Sequence, residues 1–499
     1  MADAILGPPL KSINYGLLFF GCVVFHMIGT WALPLIDRDE PRFAEASREM
    51  IERGDYVVPH FNNQLRLDKP PLAYWMQVAS YRIFGENDFA ARFPSAIAAG
   101  LVALALCAWG SRIGRGEIGL WAAIVFTLCL QTFVHAKAAV ADMWLVLFVT
   151  TAHWSGFELL RNCLTADERK RPTPMVWWFV FYMSLAFGFL AKGPIAWTPV
   201  LTVAAIKFVC RDIRVASRFK FVRGILLMLA IVALWGVPAL IRTNGEFLRI
   251  GIGRHVIGRS FGAMEGHGGN SLGGYLLLLP FYFITVFISF FPWSIKLPWL
   301  AGKLFGKRSA DGGNTARDLL DNYLICGVAI VFIIFTLIKT KLPHYTLPAF
   351  PLLALLLVRH WPEQKRALFK RISFATLPAF VAIALIVPPV VAGFFPSYAL
   401  FRASRDDLRP DMEFSAVSYQ EPSLVWYFRS RIKGWMTPMR AADVSQFMAK
   451  PGPRFAILPS ESATTVFAHP QSDWKTFATH GFNIAKGRSV DLTLVLKQE

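Results

Sequence analysis

Long apolar stretches recur along the chain and constrain its fold more than any other feature. Segments long enough to cross about 30 Å of hydrocarbon as helices lie near 15–35, 93–111, 118–134, 143–160, 175–190, 194–208, 224–241, 273–299, 319–338, 344–358 and 372–395. Only 17% of the 499 residues are charged and 55% are hydrophobic, too little polar surface for one soluble fold. We therefore predict an α-helical polytopic membrane protein with about eleven spans and an upper bound of thirteen.

Basic residues predict how the chain is oriented in the membrane. With the N-terminus in the cytoplasm, five alternate short linkers carry 21 Lys and Arg, as the positive-inside rule expects. Topology and contact with anionic membrane lipids account for these basic runs, so nucleic-acid binding is not expected. The first apolar segment lacks a signal-peptide cleavage site and is expected to remain as an anchor.

The opposite face receives the polar parts of the chain. The first exported loop, 36–92, predicts amphipathic helices: one has Pro41 in its first turn and ends at Gly54, and a second follows Pro71. After residue 395 short β-like runs alternate with helical ones, which predicts a C-terminal α/β domain over 396–499 beside a membrane domain over 1–395.

Ionisable side chains gather in the exported turns. The first loop holds Asp37-Arg38-Asp39-Glu40-Pro41-Arg42 and Asp68-Lys69-Pro70-Pro71, and later turns add Asp142, Lys192, Arg254, His255, Arg259, Lys339 and Lys341. Taken singly, each has an ordinary explanation, because carboxylates cap helices and lysines extend to the interface. Together they suit a reaction in which an acid deprotonates a hydroxyl while cations hold a departing phosphate.

Several segments resemble a known family. DRDEPRFAEASREM, GDYVVPHFNNQLRLDKPPLAYWMQ, VADMWL, AKGP and KTKLPHYTLPAFPLLALLL resemble the bacterial aminoarabinose lipid A transferases. These belong to the GT-C glycosyltransferases that use polyprenyl-phosphate donors, as do the protein O-mannosyltransferases. The resemblance covers roughly residues 15–390 and implies the GT-C fold. The ending GFNIAKGRSVDLTLV is similar to rhizobial relatives that transfer sugars such as galacturonic acid.

The resemblance also implies roles for individual residues. The family's catalytic carboxylate falls on Asp39, with Glu40 beside it, and Asp142 matches a second acidic position. The phosphate-binding cations fall on Arg42 and Lys69, with Arg259 as a third. Further site residues implied by the matching motifs are Lys192, Lys341, His344 and Tyr345.

The chain departs from the family's pattern at two positions. Phe43 stands where the family usually has Tyr, so a hydroxyl is missing there. Asp68 stands where the family often has Glu, which can share a divalent metal with a histidine of a later loop, here His255 or His267. One aspartate and one histidine are too few ligands to predict zinc from spacing, so no cofactor is predicted with certainty and a divalent metal stays open.

These observations predict an inverting glycosyltransferase of the bacterial inner membrane with its site on the periplasmic side. It would move one sugar from a polyprenyl-phosphate donor to lipid A, lipopolysaccharide or another glycolipid. A polyprenyl-phosphate-dependent protein O-glycosyltransferase is the alternative within the class. A lipid or sugar transporter is disfavoured, because acids are almost absent from the span centres and no internal repeat is visible; a non-catalytic scaffold is a further alternative.

Overall fold

The computed structural model describes residues 12–113, 116–161, 174–209, 218–258, 271–305, 315–467 and 473–499. The chain divides into two compact units. The helical unit consists of residues 1–26, 67–73 and 95–380, and the loop–tail unit of residues 27–66, 74–94 and 381–499. The first loop and the C-terminal tail, far apart in sequence, thus share one unit.

Helices dominate the chain up to residue 391. They are α1 Ser12–Met27, α2 Asp39–Arg53, α3 Leu72–Phe84, α4 Asp88–Ile113, α5 Gly116–Thr127, α6 Leu130–His135, α7 Asp142–Arg161, α8 Met175–Lys192, α9 Thr198–Val209, α10 Phe221–Arg242, α11 Leu272–Leu277, α12 Phe281–Ser289, α13 Leu297–Phe305, α14 Thr315–Leu337, α15 Phe350–His360 and α16 Arg366–Val391. A short hairpin, β1 His60–Phe61 with β2 Gln64–Leu65, lies in the first loop. A π-helix covers Leu248–Gly258, and 3₁₀ turns precede α9, α13 and α15.

Six helices among the described residues are long and apolar enough to span a membrane, and a bent pair makes up to seven. Three shorter apolar helices lie at Ile13–Met27, Glu117–Thr127 and Pro194–Phe208. Side chains such as Val222, Leu226, Leu234 and Ile241 of α10 are exposed, which is favourable in lipid and costly in water. The chain is a multi-pass membrane protein, while the count of eleven spans stays a prediction.

Several predicted spans are broken helices. The segment 273–299 divides into α11, α12 and a 3₁₀ turn leading to α13, with a bend of 120° between Phe281–Ser289 and Trp293–Phe305. The segment 344–358 begins as a 3₁₀ turn over Pro343–Ala349. Proline accounts for the irregular starts, because it cannot donate the hydrogen bond that a continuous helix needs.

Small residues allow α4 and α5 to cross closely. A Cβ placed on Gly110 would lie 2.3 Å from the Cα of Gly119, and one on Gly119 would lie 2.0 Å from the carbonyl oxygen of Cys107. Any larger side chain at either position would separate the two helices. This is the small-residue packing by which helices associate in lipid.

The tail contains both helices and strands. Its elements are α17 Pro396–Ser404, β3 Glu413–Val417, α18 Pro422–Arg429, β4 Met436–Met439, α19 Ala441–Ala449, β5 Arg454–Pro459, α20 Ser460–Val466, β6 Lys475–Asn483 and β7 Arg488–Lys497. The strands form one mixed sheet in the order β4-β3-β5-β7-β6. Strand β3 runs parallel to β4 and β5, whereas β7 runs antiparallel to β5 and β6. Its apolar core includes Phe414, Phe428, Phe455 and Leu494.

Helix α2 has the predicted ends but not the predicted surroundings. It runs from Asp39 to Arg53, and Gly54 ends it at φ 64°, donating its N–H to the carbonyl of Ile51. Its polar face was expected to lie open at a membrane interface. Instead Glu45, Arg48 and Glu49 are almost completely buried, because the tail supplies partners for them.

Those partners come from α18. Arg429 bridges Glu45 and also contacts Glu52, whose carboxylate lies 2.7 Å from its guanidinium. Arg48 donates to Glu45 at 2.7 Å and to the carbonyl of Trp426 at 3.0 Å. Helices α2 and α18 are therefore joined by a buried network of charges, within which each charged group has an opposite partner.

Candidate active site

The helical unit encloses a cavity of about 670 Å³. Most of its wall is apolar, from side chains of α7, α8, α9, α10 and α14 such as Leu145, Leu185, Leu201, Ile225 and Ile334. The volume and the mainly apolar wall with a few polar groups are typical of a ligand-binding pocket. A hydrocarbon ligand can lie against such a wall without burying an unpaired polar group.

Six of the site residues predicted from the sequence line this cavity. They are Asp68, Lys69, Asp142, Lys192, His344 and Tyr345. They come from the segment before α3, the start of α7, the end of α8 and the 3₁₀ turn before α15. Four separated parts of the chain thus bring their polar groups to one apolar cavity.

An ion pair between Lys192 and Asp142 organises the polar group. The Lys192 ammonium donates to Oδ1 of Asp142 at 2.6 Å, and Nε2 of His344 lies 3.9 Å from the same oxygen. Asp142 begins α7, so the helix dipole also favours its negative charge. The Lys192 ammonium lies 5.7 Å from the centre of the Tyr345 ring.

The AKGP motif explains how Lys192 reaches this position. Lys192 ends α8, and Gly193 follows with a φ of 81°, a value that residues with a Cβ seldom adopt. Pro194 then begins the 3₁₀ turn Pro194–Trp197. The motif therefore ends α8 at Lys192 and begins the 3₁₀ turn two residues later.

Lys69 and Asp68 form a second pair in the cavity wall. The Lys69 ammonium lies 3.6 Å from a carboxylate oxygen of Asp68. The cavity therefore contains two lysines and two aspartates, each lysine beside an aspartate. An ammonium has a positive charge and three donors, which makes lysine a suitable residue type for binding an anion.

The adjacent acids Asp39 and Glu40 lie in the loop–tail unit and differ in their hydrogen bonds. Glu40 is buried, and its carboxylate accepts two hydrogen bonds from Arg92, at 2.9 and 2.8 Å, and one from the N–H of Ile36 at 2.7 Å. Asp39, the first residue of α2, is exposed. Among the described residues the side chain of Asp39 makes no hydrogen bond or ion pair, so of the two carboxylates that of Asp39 is the one open to a substrate.

The neighbours of Asp39 are held by the tail. The carboxylate of Asp37 accepts from the hydroxyl and from the N–H of Ser423, and Arg38 lies 3.4 Å from Glu421. Burial raises the pKa of Asp37 to about 7, against the lowering effect of the Ser423 hydrogen bonds. Arg42 is half-buried and lies close enough to Asp37 to lower that pKa slightly.

Lys341 has a structural role that differs from the predicted one. Its buried ammonium donates to the carbonyls of Phe335, Thr336 and Ile338, at 2.9, 2.6 and 2.6 Å. These carbonyls belong to the end of α14, where no further helical N–H can reach them. The ammonium therefore donates to three carbonyls near the end of α14, and Lys341 is not among the residues that line the cavity.

Two predicted residues lie outside what the structure describes. Arg259, predicted to bind phosphate, falls between described segments, as does His267. His255 lies in the π-helix, but its side chain is not among the described ones. The predicted metal pair of Asp68 and His255 thus has one described member, which is too few to test whether it fits a metal.

The sequence analysis missed His135, which lies beside the cavity's polar group. Its ligand nitrogen, a carboxylate oxygen of Asp142 and a ring nitrogen of His344 all lie within 4.8 Å of one another. Its place seven residues before Asp142 carried no recognisable motif. The tail residues Ser423 and Arg429 were missed for another reason, since they are more than 370 residues from their partners in the first loop.

Comparisons with known proteins agree with this architecture. A family model described as dolichyl-phosphate-mannose-protein mannosyltransferase matches residues 68–236. Undecaprenyl phosphate-alpha-4-amino-4-deoxy-L-arabinose arabinosyl transferase of Erwinia tasmaniensis is 28% identical over 360 residues, covering 70% of this chain and 60% of that protein. The enzyme of the same name from Aeromonas salmonicida is 29% identical over 407 residues, covering 79% and 68%. The chain is thus similar in sequence to enzymes named as aminoarabinose transferases.

The fold of that family is also present. The crystal structure of ArnT from Cupriavidus metallidurans bound to undecaprenyl phosphate matches with a TM-score of 0.74 and 18% identity, covering 97% of this chain and 98% of that one. This likeness confirms the predicted GT-C fold. The aligned regions span about three fifths of the length of the first curated relatives.

Proposed function

We propose that the protein is a membrane glycosyltransferase that moves one sugar from a polyprenyl-phosphate donor to a glycolipid, with lipid A or lipopolysaccharide as the leading acceptor. The observation that carries the proposal is the cavity, whose wall is mainly apolar and whose polar residues include two lysines, two aspartates and a histidine. A donor with an apolar polyprenyl chain and an anionic phosphate has the same two-part chemistry.

The two lysines would hold the phosphate. Lys69 and Lys192 both line the cavity, and an ammonium beside a leaving phosphate stabilises the charge that develops as the sugar–phosphate bond breaks. Asp142 keeps Lys192 in place through their 2.6 Å hydrogen bond. Arg42 would add a cation from α2, and Arg259 one from the later loop, as the family resemblance implies.

Asp39 would act as the general base. The acceptor hydroxyl oxygen attacks the anomeric carbon, its proton passes to the carboxylate, and the bond from that carbon to the phosphate oxygen breaks. Attack opposite the leaving phosphate inverts the configuration at that carbon. Glu40, occupied by Arg92, would position the turn that carries Asp39.

The chain would act at the periplasmic face of the bacterial inner membrane, with a cytoplasmic N-terminus and the tail in the periplasm. The basic linkers support this orientation. The names of the aligned relatives refer to an undecaprenyl-phosphate donor. The matching family model is named for protein acceptors, which makes a protein the alternative acceptor.

Turnover by the purified protein tests the proposal. In proteoliposomes that contain a labelled polyprenyl-phosphate sugar and lipid A, we expect free polyprenyl phosphate and labelled glycolipid in equal amounts. Glycolipids from cells with and without the gene should differ by one sugar mass. If no sugar leaves the donor with lipid, lipopolysaccharide or protein acceptors, the proposed function is wrong.

A further inference from the structure

Three metal-ligating side chains from three separate elements meet at the polar end of the helical unit. They are His135 at the end of α6, Asp142 at the start of α7 and His344 in the 3₁₀ turn before α15. One ligand atom from each lies within 4.8 Å of the other two. Nε2 of His344 is 3.9 Å from Oδ1 of Asp142, and the two imidazole rings have centroids 4.8 Å apart. The transfer mechanism proposed above does not use His135.

The chemistry of these donors favours a particular class of metal. Two imidazoles and one carboxylate suit zinc and its neighbours, whereas magnesium and calcium prefer oxygen ligands. Tetrahedral zinc with bonds of about 2.1 Å would place its ligands about 3.4 Å apart. From separations of at most 4.8 Å, each side chain would move inward by less than about 1 Å, which small side-chain rotations can supply.

The neighbours of the ligands are those that a metal site needs. Nδ1 of His135 is hydrogen-bonded to the side-chain amide of Gln131 at 2.8 Å, and Ser289 donates to the other end of that amide at 3.2 Å. A hydrogen bond at one ring nitrogen fixes the orientation of an imidazole and leaves metal binding to the other nitrogen. Since a serine hydroxyl both donates and accepts, the amide can turn to accept from His135 and still keep Ser289 as a partner.

Lys192 opposes a cation at this position. Its ammonium is 2.6 Å from Oδ1 of Asp142, and two positive groups that share one carboxylate repel each other. Removal of the Lys192 ammonium should therefore tighten metal binding at this position. A cluster with a purely structural role would show no such response.

We propose that His135, Asp142 and His344 bind one divalent transition metal of the zinc type. Asp142 and His344 also line the cavity, so an unfilled coordination position would face it and accept an oxygen ligand. That the ligand is the donor phosphate rests on the proposed function, whereas the metal site itself does not.

Cobalt and zinc binding to the full-length protein test the site. The protein is purified in detergent with an affinity tag that contains no histidine, stripped with a chelator, and titrated with Co²⁺ and then Zn²⁺. We expect one equivalent of Co²⁺, with the visible absorption of a tetrahedral site, to be displaced by Zn²⁺. Elemental analysis after dialysis should give one zinc per chain.

Three variants and one control decide which residues bind. His135→Asn and His344→Asn should each weaken metal binding at least roughly tenfold, which is the scale for disturbing a metal site, and Lys192→Gln should strengthen it. His360→Gln is the control, because His360 lies 3.1 Å from Asp321 without a second imidazole among the described residues; its metal affinity should equal that of the wild type.

Two results would overturn the proposal: the absence of stoichiometric Co²⁺ binding, or wild-type affinity in both asparagine variants. Because Lys192→Gln is expected to bind the metal more tightly than the wild type, misfolding of the variants cannot produce the expected pattern. The binding measurement needs no donor or acceptor, so loss of the proposed transfer activity and loss of the metal site are separate results.

Discussion

Asp39 and Glu40 are neighbours in the chain but have different surroundings. The Glu40 carboxylate is buried between Arg92 and the N–H of Ile36, whereas Asp39 is exposed. A carboxylate with three hydrogen bonds has little capacity left for a substrate, and an exposed one keeps all of its own. The chemical role in this pair therefore falls to Asp39 in the proposed mechanism.

Asp39→Asn should abolish transfer and leave the protein folded. Asp39 is exposed and its side chain caps no helix N–H, so asparagine should leave the fold unchanged. Asparagine cannot take a proton from the acceptor, and removing a general base costs about 10²- to 10⁴-fold in rate. The rate is measured as polyprenyl phosphate released, and folding as the thermal melting temperature. A variant with normal turnover would show that Asp39 is not the base.

Glu40→Gln should instead lower stability. It leaves Arg92, which is 1% exposed, without its charged partner, and breaking a buried ion pair from one side costs about 3–5 kcal/mol. The free energy of unfolding should therefore fall far more in Glu40→Gln than in Asp39→Asn. The reverse order would exchange the roles assigned to the two acids.

Lys69→Ala should weaken use of the donor far more than folding. A charged hydrogen bond to phosphate is worth about 1.5–3 kcal/mol, which corresponds to roughly a 10- to 150-fold loss of kcat/KM. Lys69→Arg should restore part of it, since the charge remains while the geometry changes. Lys303→Ala, at an exposed position of α13, is the matched control and should retain full activity.

The contact between α2 and α18 joins the first loop to the tail. The buried carboxylates of Glu45 and Glu49 face the guanidinium of Arg429, and the Arg48 guanidinium lies 3.9 Å from the centre of the Trp426 ring. Because these contacts join the helix that begins at Asp39 to the tail, we expect the tail to position that helix.

Arg429→Gln should strongly destabilise the loop–tail unit. It leaves Glu45 and Glu49, both 0% exposed, without their shared cation, at a cost of about 3–5 kcal/mol. Arg440→Gln is the control, since Arg440 pairs with Asp443 at the surface, where an ion pair contributes less than about 1 kcal/mol. Protease resistance of the tail and thermal melting measure the stability of both variants. Equal loss of stability in the two would show that Arg429 does not stabilise the contact between α2 and α18.

The same contact should depend on pH. Burial, with the charge of Glu45, raises the pKa of Glu49 to about 7, above its value of about 4.3 in an unfolded chain. The folded state then binds more protons between about pH 4 and 7, so stability falls as pH rises through that range and levels off above it. Asp37, whose burial also raises its pKa to about 7, contributes with the same sign.

Melting temperatures across that pH range measure the effect, and Glu49→Gln should flatten the slope because glutamine does not titrate. Glu461→Gln, at an exposed position of the tail, should leave the slope unchanged. A slope that is equal in the wild type and in Glu49→Gln would show that Glu49 does not titrate in this range.

At the scale of the whole molecule, apolar helices and basic linkers indicate how the chain is placed in the membrane. The described part of the chain has six helices suited to crossing a membrane and a seventh bent candidate, while the tail contains a five-stranded sheet. The 21 Lys and Arg of the five alternate linkers indicate which ends of the spans face the cytoplasm.

Reporter fusions test this orientation. Fusions after residues 170, 215 and 310 should report the cytoplasm, and fusions after 60, 255 and 450 should report the periplasm, because lysines and arginines resist translocation. Alkaline phosphatase and green fluorescent protein activities give opposite patterns at each site. A cytoplasmic signal after residue 450 would exclude an odd number of spans and the proposed periplasmic tail.

The sequence alone determined the membrane class, the limits of α2 and the presence of both helices and strands in the tail. It could do so because hydrophobic length, a proline near a helix start and a glycine at its end act locally. The family resemblance added the GT-C fold and the six residues that line the cavity.

Only the tertiary structure decided which charges are used up by the fold. Glu40 and Lys341 look like site residues in the sequence, yet Arg92 and the end of α14 occupy them. Arg429 contacts Glu52, which is 377 residues earlier, and His135 lies beside His344, which is also distant in the chain. Hydrogen-bond partners across such separations are set by packing, which leaves no periodic trace in the sequence.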